Sequence, residues 1–336
     1  MKTCTYSRQS PYGRIKRLGV FYNESTIIDP AKVWELYFDQ KGFYNSNHKA
    51  LYKTPSSLHE LLKLSESPID LLKETISLYE KQTVAGDFRT YQGADTSFDL
   101  NDDDSSKLEC PLEKINCYRD FYAHEKHVAA GFKKRNEPIP QAWYEIPAYY
   151  KGPTSGFIGH KDDITWPYYS QKLDFELELA CITGRDGKNI KAKDAYNYIF
   201  GFSILNDISA RDIQKKEMAI RLGPAKGKDF CTILGPVITT ADEFNFQDPD
   251  LLMQAFINDE KWSEGKSIDS HYSWGEMIEH VSKDEWIIAS DVLGSGTVGT
   301  GCGLELDRWI QPSDKIELIV EGIGSLKNIV GIPSKD

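Results

Sequence analysis

The 336-residue sequence contains no Cys-x-x-Cys pair; its six cysteines stand apart at 4, 110, 117, 181, 231 and 302. That scatter excludes a zinc ribbon or a thioredoxin-type motif and reads as the reduced thiols of a cytoplasmic protein. No apolar run approaches the ~20 residues of a membrane helix, and the opening Met-Lys-Thr-Cys-Thr-Tyr-Ser-Arg lacks the hydrophobic stretch of a secretion signal. Neither a membrane span nor a leader is expected. Basic charge is also in deficit, since 40 Lys and Arg face 51 Asp and Glu for a net −11 at pH 7. Without a clustered Lys/Arg patch to offset this, nucleic acid and anionic membranes are disfavoured as partners. Internal repeats and extended low-complexity segments are missing as well.

The length is enough for one large core with a smaller companion domain. Residues 14 to 30 alternate as a hairpin turning at Asn23-Glu24. Ser57 with Glu60 has the spacing of a capping box ahead of Leu58, Leu61 and Leu62, and Ser67-Pro68 opens a second helix through Leu71, Leu72, Ile76 and Tyr79. From Gln92 to Ser106 the chain turns polar and acidic, ending Asn-Asp-Asp-Asp-Ser-Ser. This is a solvated charge run rather than a calcium loop, because it lacks the Gly and terminal Glu of an EF-hand. A domain boundary is expected there, giving an N-terminal domain over 1–106 and a catalytic domain over 107–336. Beyond it strand-like segments predominate, the clearest helix being Trp274 to Val281.

The segment Asp174-Phe-Glu-Leu-Glu-Leu-Ala-Cys181 reads as one strand with Phe175, Leu177 and Leu179 on one face and Asp174, Glu176 and Glu178 on the other. Burying those carboxylates unpaired would cost several kcal/mol per charge, so the face is either wet or occupied by a cation. A solvent-facing strand with ordinary alternation stands as the alternative. Asp207 closes a second apolar run, residues 201 to 207, and the next residues turn into a helix that Asp207 or Ser209 can cap. Oxygen ligands alone favour Mg²⁺, Ca²⁺ or Mn²⁺ over zinc. A third segment, residues 119 to 132, has helical spacing that lines up Asp120, His124 and His127 with a stop at Gly131. Its His pair is one residue short of the zincin motif, and a solvated helix is the plain alternative.

Taken together, Asp-Phe-Tyr at 120 to 122 with His127, Asp-Phe-Glu-Leu-Glu at 174 to 178, Asn-Asp-Ile-Ser-Ala-Arg-Asp-Ile-Gln at 206 to 214, Leu-Gly-Pro-Ala-Lys-Gly-Lys at 222 to 228, and Gly-Thr at 296 to 297 leading to Glu305 resemble the fumarylacetoacetate hydrolase family. The resemblance runs from about Arg119 to Gly331. It implies an α+β, β-rich fold, a large mixed β-sheet roll preceded by a smaller N-terminal domain. It also implies metal-dependent hydrolysis of a C–C bond in a β-diketo acid, as in aromatic amino acid catabolism. The family's metal ligands fall on Asp120, Glu176, Glu178 and Asp207, to hold Mg²⁺ or Ca²⁺, with Mn²⁺ also possible. Its general base falls on His127 with Glu305 as orienting partner, a role that suits an imidazole. Arg211, Gln214 and Lys228 would line the place where negative charge develops. Tyr122, Arg135, Tyr150 and Thr297 would hold the substrate's carboxylate and oxo groups, with Lys133 or Lys134 able to replace Arg135. Relatives are usually homodimers, so a homodimer is expected.

One departure touches substrate choice: fumarylacetoacetases place a tyrosine four residues beyond the matching glutamine, where this chain has Met218. Neither His124 nor His127 is followed by Glu three residues on, which leaves Glu305 as the better partner. The stretch Gly294-Ser-Gly296-Thr-Val-Gly299 matches a dinucleotide fingerprint in spacing but does not lead into a helix. It reads instead as backbone that approaches a ligand closely and presents Thr297 to it. Gly223-Pro-Ala-Lys-Gly-Lys228 lacks the length and the Ser/Thr of a phosphate loop, so its plain reading is a tight turn. The function expected is hydrolysis of a fumarylacetoacetate- or acylpyruvate-type keto acid. A 2-keto-acid dehydratase or decarboxylase of the same fold, or a non-catalytic keto-acid binder that uses the metal, are the alternatives.

Overall fold

The structure, a computed structural model, describes residues 1–11, 13–101 and 105–333. The chain divides into two compact units, Met1–Lys114 and Ile115–Asp336. The division falls after the 106/107 boundary expected from composition, because Ser106–Leu108 is a strand on Lys2–Ser10, and Glu109 and Glu113 accept hydrogen bonds from Ser7 and Thr5. Of the acidic run at the expected boundary, Asp102 to Asp104 lie outside the described residues. Among the described residues no helix is long and apolar enough to cross a membrane.

In the first unit Lys2–Ser10 pairs antiparallel with Gly13–Phe21, which pairs with Thr26–Ile28 as the expected hairpin; Asn23 Oδ1 accepts from the backbone of Ser25 and Thr26 in the turn. Four helices follow, Pro30–Gln40, Ser46–Lys53, Leu58–Leu64 and Pro68–Val84. The last two match expectation, with Ser57 accepting from the Glu60 amide and Pro68 in the first turn. The first was missed, although Asp29-Pro30 is a start signal: the Asp29 side chain caps Lys32 N and proline occupies the first turn.

The second unit holds a mixed sheet in the order Thr232–Thr240, Ile199–Asp207, Leu177–Thr183, Val292–Gly294, Tyr118–Phe121, Tyr149–Gly152. Pairing is antiparallel except between Val292–Gly294 and Tyr118–Phe121, which run parallel. The three strands at its Thr232 end are buried along their whole length, as the near-continuous apolar runs of strands covered on both faces require. A second, five-stranded sheet runs Glu260–Lys266, Leu252–Ile257, Lys315–Val320, Gly324–Val330, Asp163–Ile164. Here alternate residues of Leu252–Ile257 and Lys315–Val320 are buried, so this sheet has one covered face. The helix Trp274–Ser282 begins with a full capping box of Ser273 and Glu276. The architecture is α+β and sheet-rich, with smaller helical parts.

Two local expectations give way. The segment 174 to 181 is not one strand, because Leu173–Asp174 pairs with Ser209–Ala210 and a separate strand starts at Leu177. Both its faces are buried, with Asp174 and Phe175 at 0%, Glu176 at 5% and Glu178 at 1% exposure, so the wet-face alternative fails. Asp120 is not helical but sits in Tyr118–Phe121, while the helix runs Glu125–Lys134 past Gly131, with His124 at its N-cap. Sheet pairing with Gly294 and Tyr150 overrides the local helical spacing there.

Candidate active site

The site grows from the middle of the mixed sheet. Asp120 comes from Tyr118–Phe121, Glu178 from Leu177–Thr183, Asp207 from the end of Ile199–Asp207, and Glu176 from the break before Leu177, where it bridges Cys302. Ligand-type oxygens of Asp120, Glu176 and Glu178 lie within 4.8 Å of one another. Asp207 stands outside that group and joins it through Lys228, whose Nζ is 2.5 Å from both Glu176 Oε2 and Asp207 Oδ2. The Gly223 to Lys228 stretch is thus more than a turn, since it ends in a buried ammonium; Glu217 braces it by accepting from the amides of Ala225 and Gly227.

Arg211 is the second buried cation. Its guanidinium donates to Asp174 Oδ2 at 2.8 Å, Glu176 Oε1 at 2.7 Å and Gln214 Oε1 at 2.9 Å. Asp174, absent from the expected site, also accepts from the amides of Gly303 and Leu304 and so ties Arg211 to the Glu305 segment. The signal for it lay in the acidic face of the 174 to 178 segment. Arg211 begins the helix Arg211–Ile220 without the side-chain cap expected from Asp207 or Ser209, because Ser209 is taken by its strand pairing and donates to Asp207 O.

Five buried carboxyls, Asp120, Asp174, Glu176, Glu178 and Asp207, therefore face two buried cations. The imbalance splits their titration. Burial raises Glu176, but the charges of Lys228 and Arg211 outweigh it and bring it down to about 2. Burial, then the charge of Asp207, pushes Asp120 well above the carboxylate range, and burial with Asp120 and Glu176 does the same to Glu178. Asp207 Oδ1 has no hydrogen-bond partner among the described residues. Crowded oxygen ligands short of positive charge suit a hard divalent cation, which would neutralise Asp120 and Glu178. The residues fit such an ion.

The Gly294 to Gly303 segment closes over the cluster. Gly296, at φ +78°, turns its amide toward Asp120 Oδ1 and Glu178 Oε2 at 3.3 and 3.2 Å, and its conformation leaves no room for a side chain, since a Cβ would meet Phe121 O at 2.4 Å. Thr297 Oγ1 donates to Glu178 Oε1 at 3.2 Å and the Tyr150 hydroxyl to Asp207 Oδ2 at 2.6 Å. Both hydroxyls, expected at substrate, point at carboxylates instead.

His127 and Glu305, 178 positions apart, meet at 2.6 Å between Nδ1 and Oε1, and Glu305 Oε2 accepts from the Thr300 amide at 3.0 Å. Tyr122 stacks edge-on to His127 at 5.4 Å. Arg135 is exposed, bonded to Glu137 and lying 4.2 Å over the Phe132 ring; Lys134 is engaged with Asp307 and Lys133 is exposed. Met218 is half exposed. His124, two percent exposed, has neither ring nitrogen bonded among the described residues. Cys302, not singled out from sequence as part of the site, lies 3.6 Å from Glu305 Oε1.

The chain is similar to several known proteins. The family model described as fumarylacetoacetate (FAA) hydrolase C-terminal matches residues 116–331. The chain is 34% identical over 309 residues, 79% of its length and 93% of the relative's, to "Oxaloacetate tautomerase YisK" of Bacillus subtilis. It is 30% identical over 271 residues to a fumarylacetoacetase of Oryza sativa, covering 62% of this chain and 63% of that one. In fold it matches a fumarylacetoacetate hydrolase from Exiguobacterium antarcticum with a TM-score of 0.66 at 23% identity, over 98% of this chain and 99% of that one.

Two stability predictions follow from the buried charges. Lys228→Met leaves Glu176 and Asp207 without their shared ammonium, and breaking a buried pair from one side costs ~3–5 kcal/mol; the urea midpoint should fall accordingly, and an unchanged midpoint would show that the ammonium carries no such burden. His124 concerns pH. Burial, then the charge of His127, lowers it from 6.5 to about 4, so the unfolded chain takes up its proton first and stability is lost as pH falls from 6.5 toward 4. The loss from this group is ~3 kcal/mol. His124→Leu should keep near-parental stability at neutral pH and flatten the acid limb of a melting-temperature profile; an equally steep limb would place the loss elsewhere.

Proposed function

The chain belongs to the fumarylacetoacetate hydrolase family, and from that premise we propose that it hydrolyses a carbon–carbon bond in a small β-diketo acid of the acylpyruvate type. The observation that carries this reading is the 2.6 Å contact of His127 with Glu305 alongside a cluster of buried carboxylates. Cleaving such a bond expels a carbanion, which leaves only if its charge spreads into a neighbouring carbonyl as an enolate. Asp120, Glu176 and Glu178 would hold a hard divalent cation, which would supply Lewis acidity to that oxo group.

The chain's own residues do the rest. Glu305 fixes the Nδ1 side of the His127 ring and leaves Nε2 to take the proton from water as it adds to the carbonyl. Lys228 and Arg211 hold fixed positive charge beside the developing enolate, where a water-poor site strengthens it. Gln214 orients the Arg211 fork. With their hydroxyls bound to Glu178 and Asp207, Thr297 and Tyr150 set the direction of the ligand oxygens. Tyr122, edge-on to His127, and Arg135, exposed at the end of the His127 helix, remain to receive the substrate carboxylate.

A second reading is favoured by the Bacillus subtilis relative, whose name is that of an oxaloacetate tautomerase. Tautomerisation needs the same enolate, with the base returning its proton to the substrate and no water consumed. The two reactions separate in one assay. A panel of acylpyruvates, fumarylacetoacetate and oxaloacetate, with Mg²⁺ and with chelator, should show two carboxylic acid products from at least one diketo acid, in the Mg²⁺ arm only. Enol–keto exchange of oxaloacetate without any cleavage of the diketo acids would replace hydrolysis by tautomerisation.

If His127 and Glu305 act as a unit, their losses should not multiply. His127→Ala should lower kcat by ~10²–10⁴-fold while Mg²⁺ affinity in calorimetry stays at the parental value. Adding Glu305→Gln should make little further difference. Multiplicative losses would mean independent roles and would reopen His124 as the base.

A further inference from the structure

Cys302 has no part in the reaction above, yet its position is set with care. Its Sγ is 3.9 Å from His127 Nδ1 and 3.6 Å from Glu305 Oε1, and those two atoms are 2.6 Å apart. All three fall within 4.8 Å of one another. Its backbone is held by the bridge to Glu176 and by the hydrogen bond from Leu177 N to Gly301 O.

Imidazole, thiolate and carboxylate are the donor types zinc selects, whereas the neighbouring Asp120, Glu176 and Glu178 offer oxygen alone. Zinc bonds of about 2.3 Å to sulfur and about 2.0–2.1 Å to nitrogen or oxygen, set tetrahedrally, put sulfur ~3.6 Å from each partner and the nitrogen ~3.4 Å from the oxygen. Both sulfur edges already lie close to that. The third edge has to open by ~0.8 Å, a movement that needs only the Glu305 and His127 side chains to part.

We propose that His127, Cys302 and Glu305 form a second metal site, one that takes a thiophilic divalent cation of the zinc class and blocks turnover while the all-oxygen site keeps its hard cation. Binding expels the Cys302 thiol proton to solvent and moves the Nδ1 proton of His127 to its Nε2, which leaves thiolate, neutral imidazole and carboxylate as ligands and fills the nitrogen that would act as base. The cation then occupies the ring nitrogen's orienting contact, so Glu305 no longer fixes the ring. The metal site stands on the three side chains alone; the block rests on His127 being the base.

Cobalt(II) reports such a site directly. The full chain, saturated with Mg²⁺, should take up one equivalent of Co²⁺ with a thiolate-to-cobalt charge-transfer band and tetrahedral visible bands, both erased by Zn²⁺. Cys302→Ser, Cys302→Ala and His127→Gln, each checked for parental near-ultraviolet circular dichroism, should lack the charge-transfer band. Zn²⁺ should inhibit the parent in excess Mg²⁺, and the Cys302 variants, active in Mg²⁺, should need at least ~10-fold more, the lower end of what metal-site changes cost. A parent without the charge-transfer band, or variants that keep it, would overturn the site. Bands in the parent with undiminished turnover would uphold the site, overturn the block and remove His127 as the base.

Discussion

The site depends on one electrostatic constraint: the buried ammonium of Lys228 is shared between Glu176 and Asp207, within a pocket of carboxyls that outnumber its cations. Remote pairs of this kind are poor sources of stability, because desolvation offsets most of their attraction. Their value here is positional. With Lys228 on one oxygen of Glu176 and Arg211 on the other, Glu176 stays ionised, and each oxygen keeps a lone pair for a cation. Asp120 and Glu178 lie beyond reach of either cation's hydrogen bonds and are left with backbone amide and hydroxyl donors. A gradient of basicity therefore runs across a few ångströms, from Glu176, held low by its two cations, to Asp120 and Glu178, pushed up by burial and neighbouring carboxylates.

The same constraint explains the folds of the loops around it. Gly294 lies so close to Asp120 that a Cβ would stand 2.3 Å from Oδ1, and Gly303 lies 2.6 Å by the same measure from Asp174 Oδ1. Backbone amides can reach a crowded carboxylate only where no side chain intervenes. The glycines of this segment are thus the means by which main-chain donors are spent on acidic side chains in place of the nucleotide phosphate that their spacing alone would suggest.

Much of this was legible before any coordinates. The alternating Glu176 and Glu178 and the strand-ending Asp207 pointed to a cation site, because charge at alternate strand positions has few inexpensive explanations. Strand against helix at Asp120 was not legible, since 119 to 132 has helical spacing throughout and pairing with Tyr150 and with Gly294, far along the chain, decides it. Arg211's bond to Asp174 and the place of Cys302 beside the dyad were hidden for the same reason: each depends on three-dimensional neighbours and leaves no local period. The orientation of Thr297 and Tyr150 toward carboxylates was beyond residue type, because a hydroxyl serves substrate and ligand equally well. The helix at Pro30 was a missed cap signal and no more.

The parallel pairing of Val292–Gly294 with Tyr118–Phe121 has a kinetic consequence. Asp120 gains its second sheet neighbour, Gly294, and His127 its carboxylate only after some 170 further residues have been made. Topologies dominated by such distant contacts fold slowly, since the entropy of closing the loop precedes the reward. During synthesis Asp120 and Glu178 therefore emerge long before Gly296 and Thr297, whose amide and hydroxyl they accept from in the finished site. The main-chain donors spent on these carboxylates are thus among the last parts of the chain to reach them.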